Sequence, residues 1–189
     1  DINNRSTGDT ITIGNGVTLK INDGETIDCD PNNNNQVITI EIYNEAEFIG
    51  DDSSTATLKN CVLKKSDAGI SANNGDLIKV KRGNVLIHNN TLKSARNSGT
   101  SGVSYIETVG SGVDFANLRI TNNTFDTVDH ASINGEYMHN IIHLIDDGGS
   151  IPGSPSDTDK IHITGNTSNI YVNKYGLYLQ TDSYLNVSN

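Results

Sequence analysis

The first candidates for acid–base chemistry are two carboxylates and the basic residues of the strand beside them, namely Asp67, Asp76, Lys79, Lys81 and Arg82. A carboxylate can hold a cation or a proton, and a nearby Lys or Arg can remove a proton from a substrate. However, the two lysines alternate with the apolar Ile78 and Val80, as the outward residues of any half-buried strand do. We therefore assign no residue a catalytic role and keep the five as candidates for an enzyme alternative.

Acidic residues elsewhere in the chain offer weaker candidates for chemistry. Grouped carboxylates are the catalytic groups of glycoside hydrolases, and oxygen-rich loops can bind calcium. No EF-hand spacing is present, so we expect no cofactor and no metal site, with weak calcium binding at an acidic loop as the alternative. The groups concerned are Asp126, Asp129 and His130 or Asp146-Asp147 for hydrolysis, and Asp51-Asp52 or Asp157 and Asp159 for calcium.

The two cysteines, Cys29 and Cys61, are too far apart in sequence for a zinc knuckle. They could form one intrachain disulfide, form two interchain disulfides, or remain as small buried side chains. In an exported chain a disulfide is the favoured state. The sequence therefore predicts a disulfide at these residues without deciding between one chain and two.

Short strands of alternating apolar and polar residues must position these side chains, and the clearest of them belong to a repeat. Each copy alternates, reaches an Asn and then resumes, which indicates a strand, a corner and a second strand with one buried face. A recurring unit of this kind is the sequence signature of a β-solenoid. The copies lie at residues 85–92 and 118–125, with a weaker copy at 161–168 and a divergent one at 58–63.

An asparagine occupies the matching corner in three of these copies: Asn60, Asn89 and Asn122. Asn tolerates the left-handed backbone that a sharp corner requires. If the copies stack coil on coil, the Asn side chains stack too, and their amides can hydrogen-bond along the stack. We therefore predict a ladder of corner asparagines. No segment shows a convincing amphipathic helical pattern.

The Ile-x-Ile-x-Asn-Asn-Thr-Phe style of the repeat resembles the right-handed parallel β-helix superfamily, which includes pectate lyases, polygalacturonases, other polysaccharide lyases, phage tailspikes and surface adhesins. The resemblance covers most of residues 10–187 as a pattern. It implies an all-β chain folded as a single-stranded right-handed parallel β-helix or β-arch solenoid with Asn-rich corners. We expect one domain over residues 1–189, with long loops near 94–102 and 146–159.

The resemblance also implies where an active site would lie. In polysaccharide lyases of this superfamily, an acidic calcium cluster and a Lys or Arg base lie on one outer face. The cation neutralises the uronate carboxylate and acidifies the neighbouring carbon, and the base then removes the proton. The nearest counterparts here are the five candidates from Asp67 to Arg82, although no recognised family motif passes through them.

Composition and charge narrow the range of functions. A net charge of −10 argues against binding to nucleic acid or to anionic membrane surfaces, and no apolar run is long enough to span a bilayer. Trp, which is favoured for stacking on sugars, is absent. The chain begins at Asp1 without an initiator Met, as either a processed mature chain or a fragment would, and processing would fit export.

These observations favour an exported structural protein. The strand pattern begins by Ile11 and runs to about Val187 with no helical cap at its start, and an uncapped solenoid exposes edge strands that another copy could extend. We expect self-assembly at a cell or virion surface, as in a sheath, filament or spike subunit, with the chain itself as partner. The alternatives are a polysaccharide lyase or hydrolase acting on an acidic glycan, and a carbohydrate-binding tailspike or adhesin module.

Overall fold

Parallel β-strands make up almost all of the regular structure. The computed structural model describes residues 6, 8–32, 37–49, 54–72, 75–95, 103–108, 117–128, 138–145, 161–170, 172–180 and 185–188. Within these ranges the chain forms eighteen strands and one short helix. The strands form three six-stranded sheets, and every pair within them is parallel.

We call the three sheets A, B and C. Sheet A contains β1 (Thr10–Ile13), β4 (Thr39–Ile42), β7 (Val62–Lys65), β10 (Thr91–Ser94), β13 (Thr124–Thr127) and β16 (Thr167–Ser168). Sheet B contains β2 (Leu19–Asn22), β5 (Ala46–Ile49), β8 (Ile78–Arg82), β11 (Ser104–Thr108), β14 (Met138–Ile145) and β17 (Val172–Gln180). Sheet C contains β3 (Thr26–Asp28), β6 (Thr55–Lys59), β9 (Asn84–His88), β12 (Asn117–Thr121), β15 (Ile161–Thr164) and β18 (Leu185–Ser188).

The chain visits sheets A, B and C in turn, so three consecutive strands make one coil and each coil stacks on the next. The four copies of the sequence repeat are the corners at which a strand of sheet C passes into sheet A, for example from β9 to β10 and from β12 to β13. This arrangement confirms the predicted all-β parallel solenoid. Its right-handed winding follows the general preference of parallel crossovers and stays a prediction.

The core lies inside the three sheets and is built from matching residues of successive coils. In sheet C, Leu58 is in register with Ile87, which is in register with Ile120, and all three are buried. Neighbouring residues of each strand point outward, because side chains alternate across a strand. Burying one such Ile or Leu contributes roughly 2 kcal/mol relative to leaving it exposed. The alternation therefore fixes the register of each coil on its neighbour.

One helix, α1 (Asp67–Ser71), connects β7 to β8. Its N-cap is Ser66, whose Oγ accepts a hydrogen bond from the backbone N–H of Gly69 at 3.1 Å. Ile70 is buried outside the main core, in a small cluster with Ala95 and Val128. The helix was missed because five residues are too few to show a helical period.

The predicted long loops lie almost entirely outside the described residues. Strand β10 ends at Ser94 and the described chain resumes at Val103, while no residue between 146 and 160 is described. The corners that join sheet C to sheet A take two residues at each of the four copies of the repeat, in contrast to the longer connection between β3 and β4 and the variable connections elsewhere. This difference explains the unequal spacing of the sequence repeat.

Candidate functional site

The structure separates the five candidate residues of the sequence analysis. Asp67 is exposed in the first turn of α1, whereas Asp76 is buried just before β8. The side chains of Lys79 and Lys81 lie on the outer face of β8, as the alternation predicts. The strand includes Arg82, whose side chain lies outside the described part of the structure. Asp76 and Lys79 are brought close enough to influence each other electrostatically.

Both lysines form ion pairs with the preceding coil. Lys79 Nζ lies 3.4 Å from Glu45 Oε1, and Lys81 Nζ lies 3.1 Å from Glu47 Oε1. Each pair is partly exposed to solvent, so each contributes at most about 1 kcal/mol to stability. Both ammonium groups are thus directed at carboxylates of the neighbouring coil, which does not favour either lysine as a base for proton abstraction.

A row of polar side chains runs along the outer face of sheet B, from coil to coil. Strand register aligns Glu47 with Lys79, Lys79 with Glu107, Glu107 with His143, and His143 with Tyr178. Adjacent members of such a row are about 4.8 Å apart along the solenoid. The His143 and Tyr178 rings meet edge to face, with centroids 4.9 Å apart. We call this set the sheet-B row.

The carboxyl groups of Asp76 and Glu107 form the most unusual pair of the site. Asp76 Oδ1 accepts a hydrogen bond from the backbone N–H of Ser104 at 2.7 Å, and its carboxyl group lies near that of Glu107. Burial raises the pKa of Asp76 to about 8, and the nearby carboxyl group of Glu107 acts in the same direction. The buried Asp76 carboxyl group therefore keeps its proton near neutral pH.

His143 extends this pair toward the surface. Its Nδ1 lies 3.0 Å from Glu107 Oε1, and the two side chains are only 15% and 20% exposed. Burial lowers the pKa of His143, and the charge of Asp76 opposes this shift. The three groups therefore lie side by side, from the buried Asp76 to the partly exposed His143, in an arrangement suited to general acid–base chemistry.

Lys65 is a buried cation beside the same cluster. It occupies the position in sheet A that Ile42 occupies one coil earlier, and it is 1% exposed. Its Nζ donates to the carbonyl oxygens of Asn44 and Asp76, both at 2.9 Å. Burial lowers the pKa of Lys65 to about 8, against the opposing charges of Glu45 and Asp76. Its role is to link the A-to-B corners of consecutive coils through their carbonyl groups.

Sequence reasoning missed Glu107, His143 and Lys65 as members of this cluster. Glu107 and His143 come from later coils than Asp76, and the connections between these coils vary in length. The alternation around Glu107 shows that it points outward, but it does not show which residue of another coil lies beside it. The sequence pattern did not identify Lys65 as a buried cation, because an alternating strand predicts an apolar residue at its inward position.

The asparagine corners have the left-handed backbone that the sequence predicts. The φ angles of Asn60, Asn89 and Asn122 are 59°, 54° and 57°, and Gly165 takes the same place in the next coil with φ 64°. Asn89 Nδ2 donates to Asn60 Oδ1 at 2.8 Å, and Asn60 Nδ2 donates to Asp28 Oδ1 at 2.9 Å. We call Asn60, Asn89, Asn122 and Gly165 the outer corner row.

A second row, directly after the first in sequence, is buried inside the corner. Asn90 Oδ1 accepts from the Cys61 backbone N–H, and Asn123 Oδ1 accepts from the Asn90 backbone N–H, both at 3.0 Å. Asn166 Oδ1 accepts from the Asn123 N–H at 2.9 Å, and the three amides donate to backbone carbonyls near the end of sheet C. We call Cys61, Asn90, Asn123 and Asn166 the inner corner row.

The disulfide joins the inner corner row to the preceding coil. Cys29 and Cys61 are bonded within one chain, with their Cα atoms 4.9 Å apart, and both side chains are buried. The intrachain alternative is therefore the one that this structure forms. The sequence contains no further cysteine, so neither cysteine remains to link two chains.

The other acidic candidates are dispersed or lie outside the described residues. Asp126 Oδ2 is 3.4 Å from Lys93 Nζ, whereas Asp129, His130 and Asp146-Asp147 are not among the described residues. The same holds for the proposed calcium loops at Asp51-Asp52 and at Asp157 and Asp159. Among the residues that are described, no group of three His, Cys, Asp or Glu side chains could hold a metal ion.

A shallow groove lies on the outer face of sheet C, with a volume of about 290 Å³. Arg119 borders it, and its Nε donates to Asn117 Oδ1 at 3.1 Å, which leaves the two terminal nitrogens of the guanidinium free of partners among the described residues. An apolar wall and two amides complete the lining, which consists of Thr55, Asn84, Val85, Leu86, Asn117 and Arg119.

Comparisons with known proteins do not assign the chain to a family. No protein-family model matches it, and neither the curated proteins nor the solved structures include a significant match. The resemblance to parallel β-helix proteins is therefore one of fold, carried by the stacked parallel strands. In the described part of the chain, no helix is long and apolar enough to cross a membrane.

Proposed function

We propose that this chain is an exported structural protein that assembles with further copies of itself at a cell or virion surface by β-strand stacking. The observation that carries the proposal is the unequal burial of matching apolar residues in the first two coils. Ile13 is only partly buried, although its partner in register, Ile42, is 1% exposed. Likewise Ile27 is partly buried while Leu58 is fully buried. Another coil stacked on the first would cover these side chains.

The backbone at this end is also suited to stacking. Within the described residues, strands β1, β2 and β3 each pair with a strand on one side only. An edge strand presents unpaired N–H and C=O groups that can bind the strand of a second chain. Because the three sheets have the same arrangement in every coil, a second copy can continue all three of them together.

The charged side chains support a structural role because they join coil to coil. Outward lysines are neutralised by carboxylates of the adjacent coil in all three sheets, which removes repulsion between stacked strands. The charged groups of these pairs bind each other across adjacent coils, so they are not directed at a ligand. The pairs include Lys59 with Asp28 at 3.0 Å, Lys64 with Glu41 at 3.0 Å, and Lys93 with Asp126 at 3.4 Å.

The disulfide supports the exported location. Disulfide bonds persist in oxidising compartments and are rare in the cytosol of most organisms. A buried disulfide between neighbouring coils also stabilises an extended protein that is exposed outside the cell.

Light scattering and negative-stain electron microscopy of the purified chain test the assembly. We expect regular polymers that do not dissociate when reductant is added, because the disulfide lies within one chain and does not link two chains. The variant Ile13→Lys places a charge at the open end of the core and should abolish them. Thr12→Lys, on the exposed face of the same strand, is the matched control and should leave them intact. A monomer at all concentrations, or polymers unaffected by Ile13→Lys, overturns the proposal.

A second candidate function is cleavage of an acidic glycan, which the raised pKa of Asp76 beside the carboxylate of Glu107 favours. Glu107 and His143 are the members of the cluster that a substrate could reach from solvent. The test is a screen of polyuronates for unsaturated products or new reducing ends. Glu107→Gln should abolish activity, whereas Glu47→Gln, a carboxylate of the same sheet-B row, should retain it. Absence of activity, or equal activity in both variants, rules this candidate out.

A third candidate, a carbohydrate-binding tailspike or adhesin module, is favoured by the groove beside Arg119. A guanidinium group binds carboxylates through paired hydrogen bonds, and neighbouring amides suit sugar hydroxyls. Glycan-array binding that is lost in Arg119→Gln and kept in Lys20→Gln would support it. Lys20 is a suitable control because it is exposed on β2, in sheet B, away from the groove. Absence of binding by the unmodified chain excludes this role.

A further inference from the structure

The chain contains five Asn-x-Ser/Thr sequences, in which an Asn side chain can receive an N-linked oligosaccharide. Three of them fall at the C-to-A corners, where the structure describes the Asn side chains, and these are Asn89, Asn122 and Asn166. The side chains of the other two, Asn4 and Asn186, lie outside the described part of the structure. All three lie at C-to-A corners, Asn89 and Asn122 in the outer corner row and Asn166 in the inner one, and their surroundings identify which can carry a sugar.

Asn166 cannot carry a sugar without loss of the inner corner row. It is partly buried, and its Nδ2 donates to the Ile120 carbonyl oxygen at 2.7 Å. Its Oδ1 accepts hydrogen bonds from the backbone N–H and from the Nδ2 of Asn123. A sugar on Nδ2 would have to enter the corner, where it would displace these bonds.

Asn89 is exposed, but its amide nitrogen is already bonded. Nδ2 donates to Asn60 Oδ1 at 2.8 Å, and the Asn60 amide lies in the adjacent coil. A sugar on this nitrogen would crowd the Asn60 side chain and weaken the outer corner row. Losing one such hydrogen bond changes an equilibrium by about fivefold.

Asn122 differs from both. It is exposed, and within the described residues its side chain makes no hydrogen bond. Its Oδ1 lies against Gly165, in the space that a Cβ atom at residue 165 would occupy. The oxygen is therefore turned toward the next coil, and Nδ2 has no hydrogen-bond partner among the described residues. The third residue of the sequence, Thr124, lies on the outer side of β13, with its Oγ1 3.2 Å from that of Thr167.

We propose that Asn122 is an N-glycosylation site of this protein. The reaction joins Asn122 Nδ2 to C1 of an oligosaccharide that is delivered on a lipid pyrophosphate. The C1–oxygen bond to the pyrophosphate breaks, the lipid pyrophosphate leaves with the bonding electrons, and Nδ2 loses one proton. Asn122 then keeps its left-handed backbone and loses no hydrogen bond to the described residues. The attached sugar projects from the side of the solenoid, so the edge strands at its ends stay free for stacking.

This inference rests on the exported location in the proposed function, because oligosaccharide transfer from a lipid pyrophosphate takes place on the side of a membrane that faces away from the cytosol. The test is secretion of the full chain from a glycosylating eukaryotic host behind a heterologous signal sequence, followed by peptide mapping of the secreted, folded protein. A supplied signal makes the result independent of how the chain is naturally exported, and light scattering on the same sample reports assembly separately.

We expect occupancy at Asn122 to exceed that at Asn89 by about fivefold or more, and Asn166 to be unmodified. Thr124→Ala removes the acceptor sequence but leaves Asn122 in place, and should remove the sugar from this corner. Thr91→Ala, the matched change at Asn89, should leave the mass nearly unchanged. An unoccupied Asn122, or occupancy at Asn89 or Asn166 that equals it, overturns the proposal.

Discussion

Two asparagines that are neighbours in sequence have opposite roles in the same corner. Asn89 and Asn122 belong to the outer corner row and are exposed, with φ angles of 54° and 57°. Asn90 and Asn123, the next residues, are 2% and 0% exposed. The outer residue is needed for the backbone angle that it tolerates, and the inner residue for the hydrogen bonds that it makes.

The two roles have different energetic weights. A left-handed conformation costs an ordinary residue about 1–2 kcal/mol, and Asn reduces this cost. A buried backbone group that loses its partner costs about 1–3 kcal/mol, and each inner Asn serves more than one such group. The inner corner row should therefore dominate the stability of the solenoid, although both rows are made of the same residue type.

The largest loss in the free energy of unfolding is expected when the disulfide of the inner corner row is removed. Cys29→Ala with Cys61→Ala removes a disulfide that spans 32 residues of sequence. A crosslink of this length stabilises a fold by about 4 kcal/mol, chiefly by restricting the unfolded chain. Urea unfolding of the oxidised wild type and the double variant measures this loss. The reduced wild type is the control and should behave as the variant does.

Asn123→Ala should give the next largest effect. The Asn90 backbone N–H and the Ile87 carbonyl oxygen would both lose their partner inside the corner. We expect a loss of about 3 kcal/mol in the free energy of unfolding. The matched control is Asn122→Ala, one residue earlier, which should lose clearly less. Equal losses in the two variants would contradict the distinction between the rows.

Asn89→Ala should have a smaller effect. The variant loses the hydrogen bond from Nδ2 to Asn60 Oδ1, which is exposed to water, and places Ala at φ 54°. The combined loss should be about 1–2 kcal/mol, most of it from the backbone. Asn89→Gly separates the two causes, since Gly removes the side chain without the backbone strain. A larger loss for Gly than for Ala would contradict this explanation.

Asn122→Gly should have the smallest effect of the series. Its side chain makes no hydrogen bond with described residues, and Gly adopts φ 57° without strain. We expect a change within about 0.5 kcal/mol in unglycosylated protein. Asn123→Gly, at the neighbouring inner position, should lose several times as much in the same urea titration.

The outer corner row could be predicted from the sequence because its signal is local. Asn at the junction of two alternating strands is explained by backbone geometry alone, so Asn60, Asn89 and Asn122 could be read from the repeat. The inner corner row was not predicted, although the repeat held a clue. Cys61 stands where the other copies have a second Asn, and Cys is among the most buried residue types. This replacement indicates a buried position.

The acid–base cluster could not be predicted in the same way. Asp76 and Lys79 are close in sequence and were recognised as candidates, but Glu107 and His143 reach the site only through the stacking of coils. The lengths of the A-to-B and B-to-C connections determine that alignment, and these lengths vary from coil to coil. The repeat fixes register at the C-to-A corner, whereas the cluster lies on the strands of sheet B and on the residues just before them.

The bond between Cys29 and Cys61 also changes how the protein responds to force. A solenoid pulled from its N-terminal side should peel one coil at a time, because each coil contacts only its neighbours. The bond bridges a sequence separation of 32, so the segment between the two cysteines cannot extend. Fully stretched, that segment would add roughly 110 Å. A force applied at this side is therefore transmitted through the disulfide bond to the second coil. The backbone hydrogen bonds of β3 share this force with the disulfide.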